Sequence, residues 1–441
     1  MITRKYYSGL FFYLIIAHLL FFTGFSVAEE PVEIFTLEET ITLAIQVNLE
    51  LKSSKEETAA SLSAKKAQRT HFFPTFSTSY KYTRSDEGAR TGGLAMGSKD
   101  EYGFVTSFSQ PIFTGFSLLN QYKISRLGLD VSKTSESLLR QDIIFESKKR
   151  YFELLQTQKL IGIAKETVTQ IAAQKDVAEN FYKVGMTPLN DFLQAQVELA
   201  NAEQELIVAK NNLDNAEANF NVLLRRPIRA PVKVADILEY SPFEQDIDYC
   251  FDMAERNRLE TKISDLEIEI AEKELALAKK DYFPTISLEG NYFFYGDDWD
   301  VDGGAGIFDP EGWNVMAVAS WNFWEWGKTA YGAKEKLSRL TQAELKKEAL
   351  LDNIHLEVKN AFLRTQEAEK AMIAVKKAIE QAKENFRINE ERYKEQIATQ
   401  TDVLNAQTLL SETITKYYNA LYAFKIAKAA LYRAMGQENM Q

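Results

Sequence analysis

What this chain has little of narrows its chemistry first. It holds one cysteine, Cys250, and three histidines in 441 residues, too few for a thiol centre or a His/Cys metal site. His18 sits in the leading apolar segment, and His71 and His355 stand alone in sequence. No glycine-rich phosphate cradle and no metal-ligand spacing is present, so no cofactor, no bound metal and no catalytic residue is expected, and the chain reads as a non-enzyme. Basic residues are outnumbered, Lys+Arg 52 against Asp+Glu 63, and the formal charge of -11 excludes nucleic acid as a partner, because phosphate recognition needs a basic surface. Long apolar runs are also missing. Beyond residue 28 no segment approaches the roughly 18 uninterrupted apolar residues of a membrane helix, so anything that holds the chain in a bilayer must be a barrel.

The exception is the start. Arg4-Lys5 precedes an apolar run from Gly9 to Phe25, and Ser26-Val27-Ala28 supplies the small residues of a signal-peptidase site. Residues 1–28 therefore read as a signal peptide, and no cysteine follows the cut to carry a lipid.

What is present is a repeat. The stretch Tyr182–Leu199 returns as Tyr393–Leu410, with Tyr182/Tyr393, Lys183/Lys394, Asp191/Asp402, Leu193/Leu404, Ala195/Ala406, Gln196/Gln407 and Leu199/Leu410 identical in one unbroken register. Phe73-Pro74-Thr75 likewise returns as Phe283-Pro284-Thr285. The chain is a tandem duplication: a first repeat over 29–226, a connector over 227–246 broken by Pro227, Pro231 and Pro242, a second repeat over 247–436, and a short tail over 437–441.

Each repeat opens with a helix, Leu37 to about Thr70 in the first, and then changes period. Over Phe72–Arg84, Tyr102–Phe113, Ile286–Phe294 and Trp313–Phe323 apolar or aromatic residues alternate with polar ones, the mark of strands with one oily and one wet face. Their length, about 9 to 11 residues, is what a bilayer-crossing strand needs, and Gly-rich polar loops join each pair. Twenty-eight Phe, twenty Tyr and five Trp, the last all between Trp299 and Trp326, need a cause; Tyr102, Phe113, Tyr295, Trp313, Trp321 and Trp324 are expected to form girdles at the membrane surfaces. Four strands cannot close a barrel, and open edges in hydrocarbon leave backbone groups unpaired, so the barrel must be pooled between chains: eight strands from two copies or twelve from three.

Turns at Thr114-Gly115 and Trp326-Gly327 lead into two helices, Ser117 to about Tyr182 and Lys328 to about Tyr393, each on the order of 100 Å long at 1.5 Å per residue. Ile354, Val358, Ala361, Thr365, Ala368, Met372, Val375, Ile379, Ala382 and Phe386 step by four and three, a coiled-coil seam. Leu154, Thr157, Ile161, Ala164, Val168, Ile171, Ala178 and Tyr182 follow the matching seam, with Lys175 as its charged exception. After a short tip each chain turns back, with Thr187-Pro188 and Thr399 expected to start the return helices. Thr399 and Asp402 have capping-box-like spacing.

In this order the doubled Phe-Pro-Thr, Pro111-Ile112-Phe113-Thr114-Gly115, Tyr182-Lys183-Val184-Gly185-Met186-Thr187, Asp191-Phe192-Leu193-Gln194-Ala195-Gln196 and Asn211-Asn212-Leu213-Asp214-Asn215-Ala216 resemble the TolC-like outer-membrane efflux family over nearly the whole chain. The resemblance implies an α+β membrane protein: a homotrimer whose twelve-stranded barrel lies among outer-membrane lipid and continues as a long α-helical coiled-coil barrel through the periplasm. It also implies a periplasmic adaptor and an inner-membrane pump as partners, in an efflux or type I secretion system. Asp191 and Asp402 would then ring the mouth, with Tyr393 in the network that shuts it. Asn405 stands where a second acid often occurs, and Ala398 where an arginine can sit. The expected adaptor contacts are Val184, Gly185, Met186 and Thr187 on one tip and Gln396, Ile397, Ala398 and Thr399 on the other. Helix capping accounts for both aspartates without a pore, since a carboxylate in a first turn satisfies free N–H groups. A periplasmic coiled-coil scaffold or adhesin would explain the heptads, but it leaves the aromatic strands without purpose.

Overall fold

The computed structural model describes residues 34–86, 90–91, 94–95, 97–237, 240–305, 307 and 309–438; the expected signal peptide over 1–28 and the last three residues of the tail lie outside them. In chain order the first repeat runs β1 (Ile34–Phe35), α1 (Leu37–Val47), α2 (Leu49–Thr70), β2 (Thr75–Arg84), β3 (Arg90–Thr91), β4 (Leu94–Ala95), β5 (Asp100–Thr114), α3 (Ser117–Lys183) and α4 (Leu189–Leu223). The second follows β6 (Lys233–Val234) with α5 (Ile247–Asn257), α6 (Leu259–Ala278), β7 (Thr285–Gly296), β8 (Glu311–Ser320), α7 (Lys328–Lys394) and α8 (Gln400–Ala434). The long helices match in length: α3 and α7 each have 67 residues, α4 and α8 each have 35.

The opening helix, expected to be continuous, breaks at Asn48. Its backbone is extended at φ -59 and ψ 126, and its side chain accepts from the N–H of Leu51 at 2.8 Å, which restarts the helix with a cap. The second repeat breaks at the matching place by other means. Arg258 is 6% exposed, and its guanidinium donates to Glu260 at 2.9 Å, Glu357 at 2.9 Å and the carbonyl of Ala434 at 3.1 Å. That last bond ties the break to the end of α8, where Gly436 (φ +70) comes so near that an added Cβ would lie 2.7 Å from the Asn257 carbonyl carbon.

The two long hairpins are the bulk of the molecule. α3 packs along α4, α7 along α8, and α3 also lies against α8, joining the halves. The heptad seam of α7 is confirmed: Ile354, Val358, Thr365, Met372 and Ala382 are buried and the seam positions between them half-buried. In α3 the seam holds at Leu154, Ile171 and Ala178 and fails at Tyr182, which is 41% exposed. The main core sits where the elements converge, far from both ends. Phe35, Ile41, Ala44, Tyr151, Leu154, Leu155, Phe220, Val232 and Tyr422 meet there, and the Tyr151 hydroxyl donates to the carbonyl of Ala235 at 2.6 Å. The proline-broken connector supplies β6 to this core as the parallel partner of β1. A smaller core of Cys250, Ala254, Ile354, Val358, Phe362, Leu431 and Met435 repeats the arrangement in the second half.

Candidate functional site

Two regions hold the residues singled out in the sequence: the sheet at one end of the hairpins and the tips at the other. The four strands form one antiparallel sheet in the order β2-β5-β7-β8. Its register sorts the alternating residues onto two faces. Phe76 lies opposite Phe108, Tyr80 opposite Phe104 and Tyr82 opposite Tyr102; the same face continues through Phe104 opposite Phe294, Tyr292 opposite Trp313 and Leu288 opposite Ala317. The other face aligns Ser77 with Ser107, Ser107 with Asn291 and Asn291 with Asn314. Side chains bond across three strands of it: the Ser107 hydroxyl donates to Asn291 Oδ1 at 2.6 Å, and Asn291 Nδ2 donates to Asn314 Oδ1 at 3.0 Å. One oily face and one hydrogen-bonded wet face fit a wall between lipid and water.

The residues expected to form the girdle do not share one face. Tyr102 and Trp313 lie on the apolar face toward the loop ends of their strands. A bulge between Pro111 and Phe113 shifts the register, so Phe113 instead of Ile112 joins that face, opposite Ile286 at the helix end. There Phe113 packs edge-on to Phe116 at 5.2 Å, and Phe116 packs on Phe283 at 5.4 Å. Tyr295 belongs to the polar face, opposite Gly103, where its ring takes the space of the missing Cβ. β8 ends at Ser320, so Trp321 and Trp324 fall in the segment after the strand, exposed at 55% and 67%.

The tips close by the same backbone device in both repeats. In the first, Gly185 N–H donates to Tyr182 O at 3.0 Å and Met186 N–H to Phe181 O at 2.9 Å, with Gly185 left-handed at φ +77. In the second, Gln396 N–H donates to Tyr393 O at 2.9 Å and Ile397 N–H to Arg392 O at 2.8 Å, with Gln396 in the glycine's place at φ 63. Val184 and Ile397, each 68% exposed, and Met186, 52% exposed, point apolar side chains into solvent there; Thr187 and Ala398 are half-buried.

The returns differ. Thr399 caps α8 in a full capping box: Asp402 N–H donates to Thr399 Oγ1 at 3.2 Å, and Thr399 N–H donates to Asp402 Oδ2 at 2.9 Å. Donation from the Thr399 backbone N–H, and then from the Thr399 hydroxyl, holds the Asp402 carboxyl below its ordinary value. Thr187 does not cap α4. Pro188 takes the N-cap place at ψ 158, so the helix starts at Leu189 and the Thr187 hydroxyl is buried without a partner among the described residues. Asp191 is half-buried and has no side-chain hydrogen bond among the described residues, while Asp402 and Asn405 are exposed. The repeated tyrosines separate as well. Tyr182 is exposed and stacks on Phe192 at 6.4 Å, whereas Tyr393 is buried against Phe181 of the other hairpin at 5.5 Å. Burial, and then the Asp191 carboxylate, push the Tyr393 phenol up to about 12.

Sequence reasoning missed the polar stitching between α8 and the first hairpin. Thr401 Oγ1 donates to Gln194 Oε1 at 2.8 Å, Thr408 Oγ1 to Glu198 Oε1 at 3.3 Å, Thr167 and Ser411 share a bond of 2.8 Å, and Gln407 donates to Gln170. Of these Gln407 stood out beforehand as a repeated residue, and Gln194 within the motif Asp191-Phe192-Leu193-Gln194-Ala195-Gln196. A groove of about 390 Å³ between α3, α4 and α8 is lined by Thr167, Glu198, Thr408 and Ser411 together with apolar residues such as Leu160 and Ile171. Contrary to the expectation of no metal-ligand cluster, the β7–β8 loop brings carboxylate oxygens of Asp298, Asp300 and Asp302 within 4.8 Å of one another, all three exposed. Calcium takes six to eight oxygen ligands, and three exposed carboxylates do not by themselves make such a site.

Known proteins share this layout. The sequence matches the family described as outer membrane efflux protein over residues 40–224 and 251–437. It is 20% identical over 410 residues to outer membrane protein TolC of Vibrio cholerae, covering 91% of this chain and 90% of that one. Among solved structures, the CmeC outer membrane channel of Campylobacter jejuni superposes with a TM-score of 0.81 at 17% identity, over 92% of this chain and 87% of that one. CusC, whose structures concern folding and transmembrane channel formation, gives a TM-score of 0.80 at 16% identity, over 91% of this chain and 92% of that one. A duplicated frame whose sheet has one oily and one wet face, matched in both halves, makes this chain a member of the outer membrane efflux protein family.

Proposed function

We propose that three copies of this chain close a twelve-stranded barrel in the outer membrane and continue it as a periplasmic tunnel, the passive exit duct of a tripartite efflux or type I secretion system. The observation that carries this reading is the pair of open edges: β2 and β8 flank a sheet with an apolar face, and neither has a further strand to pair with among the described residues. In hydrocarbon each unpaired backbone group costs several kcal/mol, and only further strands remove that cost. Three copies give a barrel wide enough for water beside Ser77, Ser107, Asn291 and Asn314; two give an eight-stranded barrel that side chains fill.

The duct supplies a path and no bond chemistry, so an inner-membrane pump must supply the energy and an adaptor must join the two. The apolar side chains at Val184, Met186 and Ile397 support an adaptor contact at the tips, beside Gly185, Thr187, Gln396, Ala398 and Thr399. Three copies of Asp191 and Asp402 would put carboxylates around the mouth and favour cations. Native mass of the detergent-extracted protein together with conductance in planar bilayers tests the reading. A trimer with stable cation-preferring conductance is expected; a monomer or a non-conducting dimer would overturn it. Cross-linking from Lys183 and Lys394 in intact cells is expected to capture a periplasmic adaptor.

A further inference from the structure

α8 begins on Gln400, whose side chain is 0% exposed and whose amide oxygen and nitrogen both lack a hydrogen-bond partner among the described residues. A glutamine amide offers two donors and two acceptor lone pairs, and such groups are paired in the large majority of buried cases. Gln400 is not needed to cap the helix, since Thr399 and Asp402 do that. Nor does the repeat demand it: Leu189 opens α4 at the matching place. Two more buried hydroxyls at the hairpin ends are without partners among the described residues, those of Tyr393 on the second and Thr187 on the first. The packed tips therefore carry a specific penalty, concentrated in one residue that an apolar side chain could replace. Opposing it are contacts between the hairpins, the Thr401–Gln194 bond at 2.8 Å and the Phe181–Tyr393 ring contact at 5.5 Å.

We propose that Gln400 biases the channel mouth toward opening: its amide is unsatisfied while the tips pack and becomes hydrated when they part. This rests on the duct reading above and adds to it the residue that sets how firmly the mouth closes. Gln400→Leu keeps nearly the same volume and removes the polar atoms. In the assembled protein it is expected to slow backbone amide exchange over residues 393–404 about tenfold, the effect of one buried polar group no longer left unpaired, and to lower the open fraction in planar bilayers by a similar factor. Gln400→Met is expected to act likewise and serves if the leucine variant fails to assemble. Thr401→Val, which removes the bond to Gln194, is expected to move both readings the opposite way. Exchange that is unchanged or faster in both apolar variants means the amide is satisfied inside the packed tip, and the proposal falls. Slower exchange in a protein that never conducts would sink the duct reading and leave the tip equilibrium standing.

Discussion

The carboxylate of Asp402 folds back onto Thr399, accepting from its backbone N–H at 2.9 Å and from its hydroxyl at 2.8 Å, so the aspartate of the second tip is engaged within its own turn. Asp191, its repeat partner, has no such bond among the described residues, and its charge bears instead on buried Tyr393. Asp402→Ala is therefore expected to speed amide exchange in the first turn of α8, while Asp191→Ala leaves the first turn of α4 nearly unchanged. Both substitutions together are expected to lower cation preference in planar bilayers; unchanged selectivity would remove the carboxylate ring. Because the Asp402 carboxyl is held below its ordinary 3.8, the box is complete above that pH and comes apart as pH falls through the lowered value.

Gln396 holds a left-handed backbone at φ 63 where the first repeat uses Gly185 at φ 77. A side chain in that region costs about 1 kcal/mol, which glycine avoids. Gln396→Gly should slow local opening of the second tip by several-fold in amide exchange, and Gly185→Ala should speed opening of the first. Opposite signs in the two variants are the diagnostic, since adaptor contact alone would not produce them.

The sheet register separates neighbouring residues by environment. Phe104 lies on the apolar face opposite Phe294, and Ser107 on the polar face opposite Asn291. Phe104→Arg is expected to cost about 2 to 4 kcal/mol if its position is near the bilayer midplane and to reduce the folded, heat-modifiable form on gels. Ser107→Arg is expected to leave that form intact and to shift conductance and selectivity. Equal damage from both would contradict the assignment of faces.

In the β7–β8 loop, the hydrogen bond with Asp298, followed by slight desolvation and the charges of Asp298 and Asp302, pushes the Asp300 carboxyl from 3.8 up to about 6. A carboxyl raised in this way supports the loop fully below its ordinary value and loses that support as pH rises through about 6, where mutual repulsion sets in. Carboxylate titration by infrared or NMR spectroscopy is expected to show a midpoint near 6 that Asp298→Asn brings back toward 3.8.

Much of this molecule is legible from one chain because its elements have clean periods. The 67-residue helices begin and end within a residue or so of the places their turn and tip motifs predict, and the strand faces follow the alternation as far as the bulge between Pro111 and Phe113 and the strand end at Ser320, with Tyr295 as an aromatic on the polar face. Local sequence fell short where one position can satisfy two rules. Thr187 looks like a cap, but Pro188 behind it takes the extended cap conformation itself. Asn48 looks like any polar residue in a surface helix, yet its short amide is what lets the chain break and restart there.

The sequence by itself determined the duplication, the helix and strand periods, the wet and oily faces and the position of both tips, because each depends on residues adjacent in the chain. Only the tertiary structure decided that identical tyrosines have opposite fates, Tyr393 buried and Tyr182 in the open, that Tyr295 joins the polar face, and that Gln400 is enclosed without a partner. Burial and pairing are set by what another helix or strand brings alongside, and no repeat within the chain encodes which neighbour arrives.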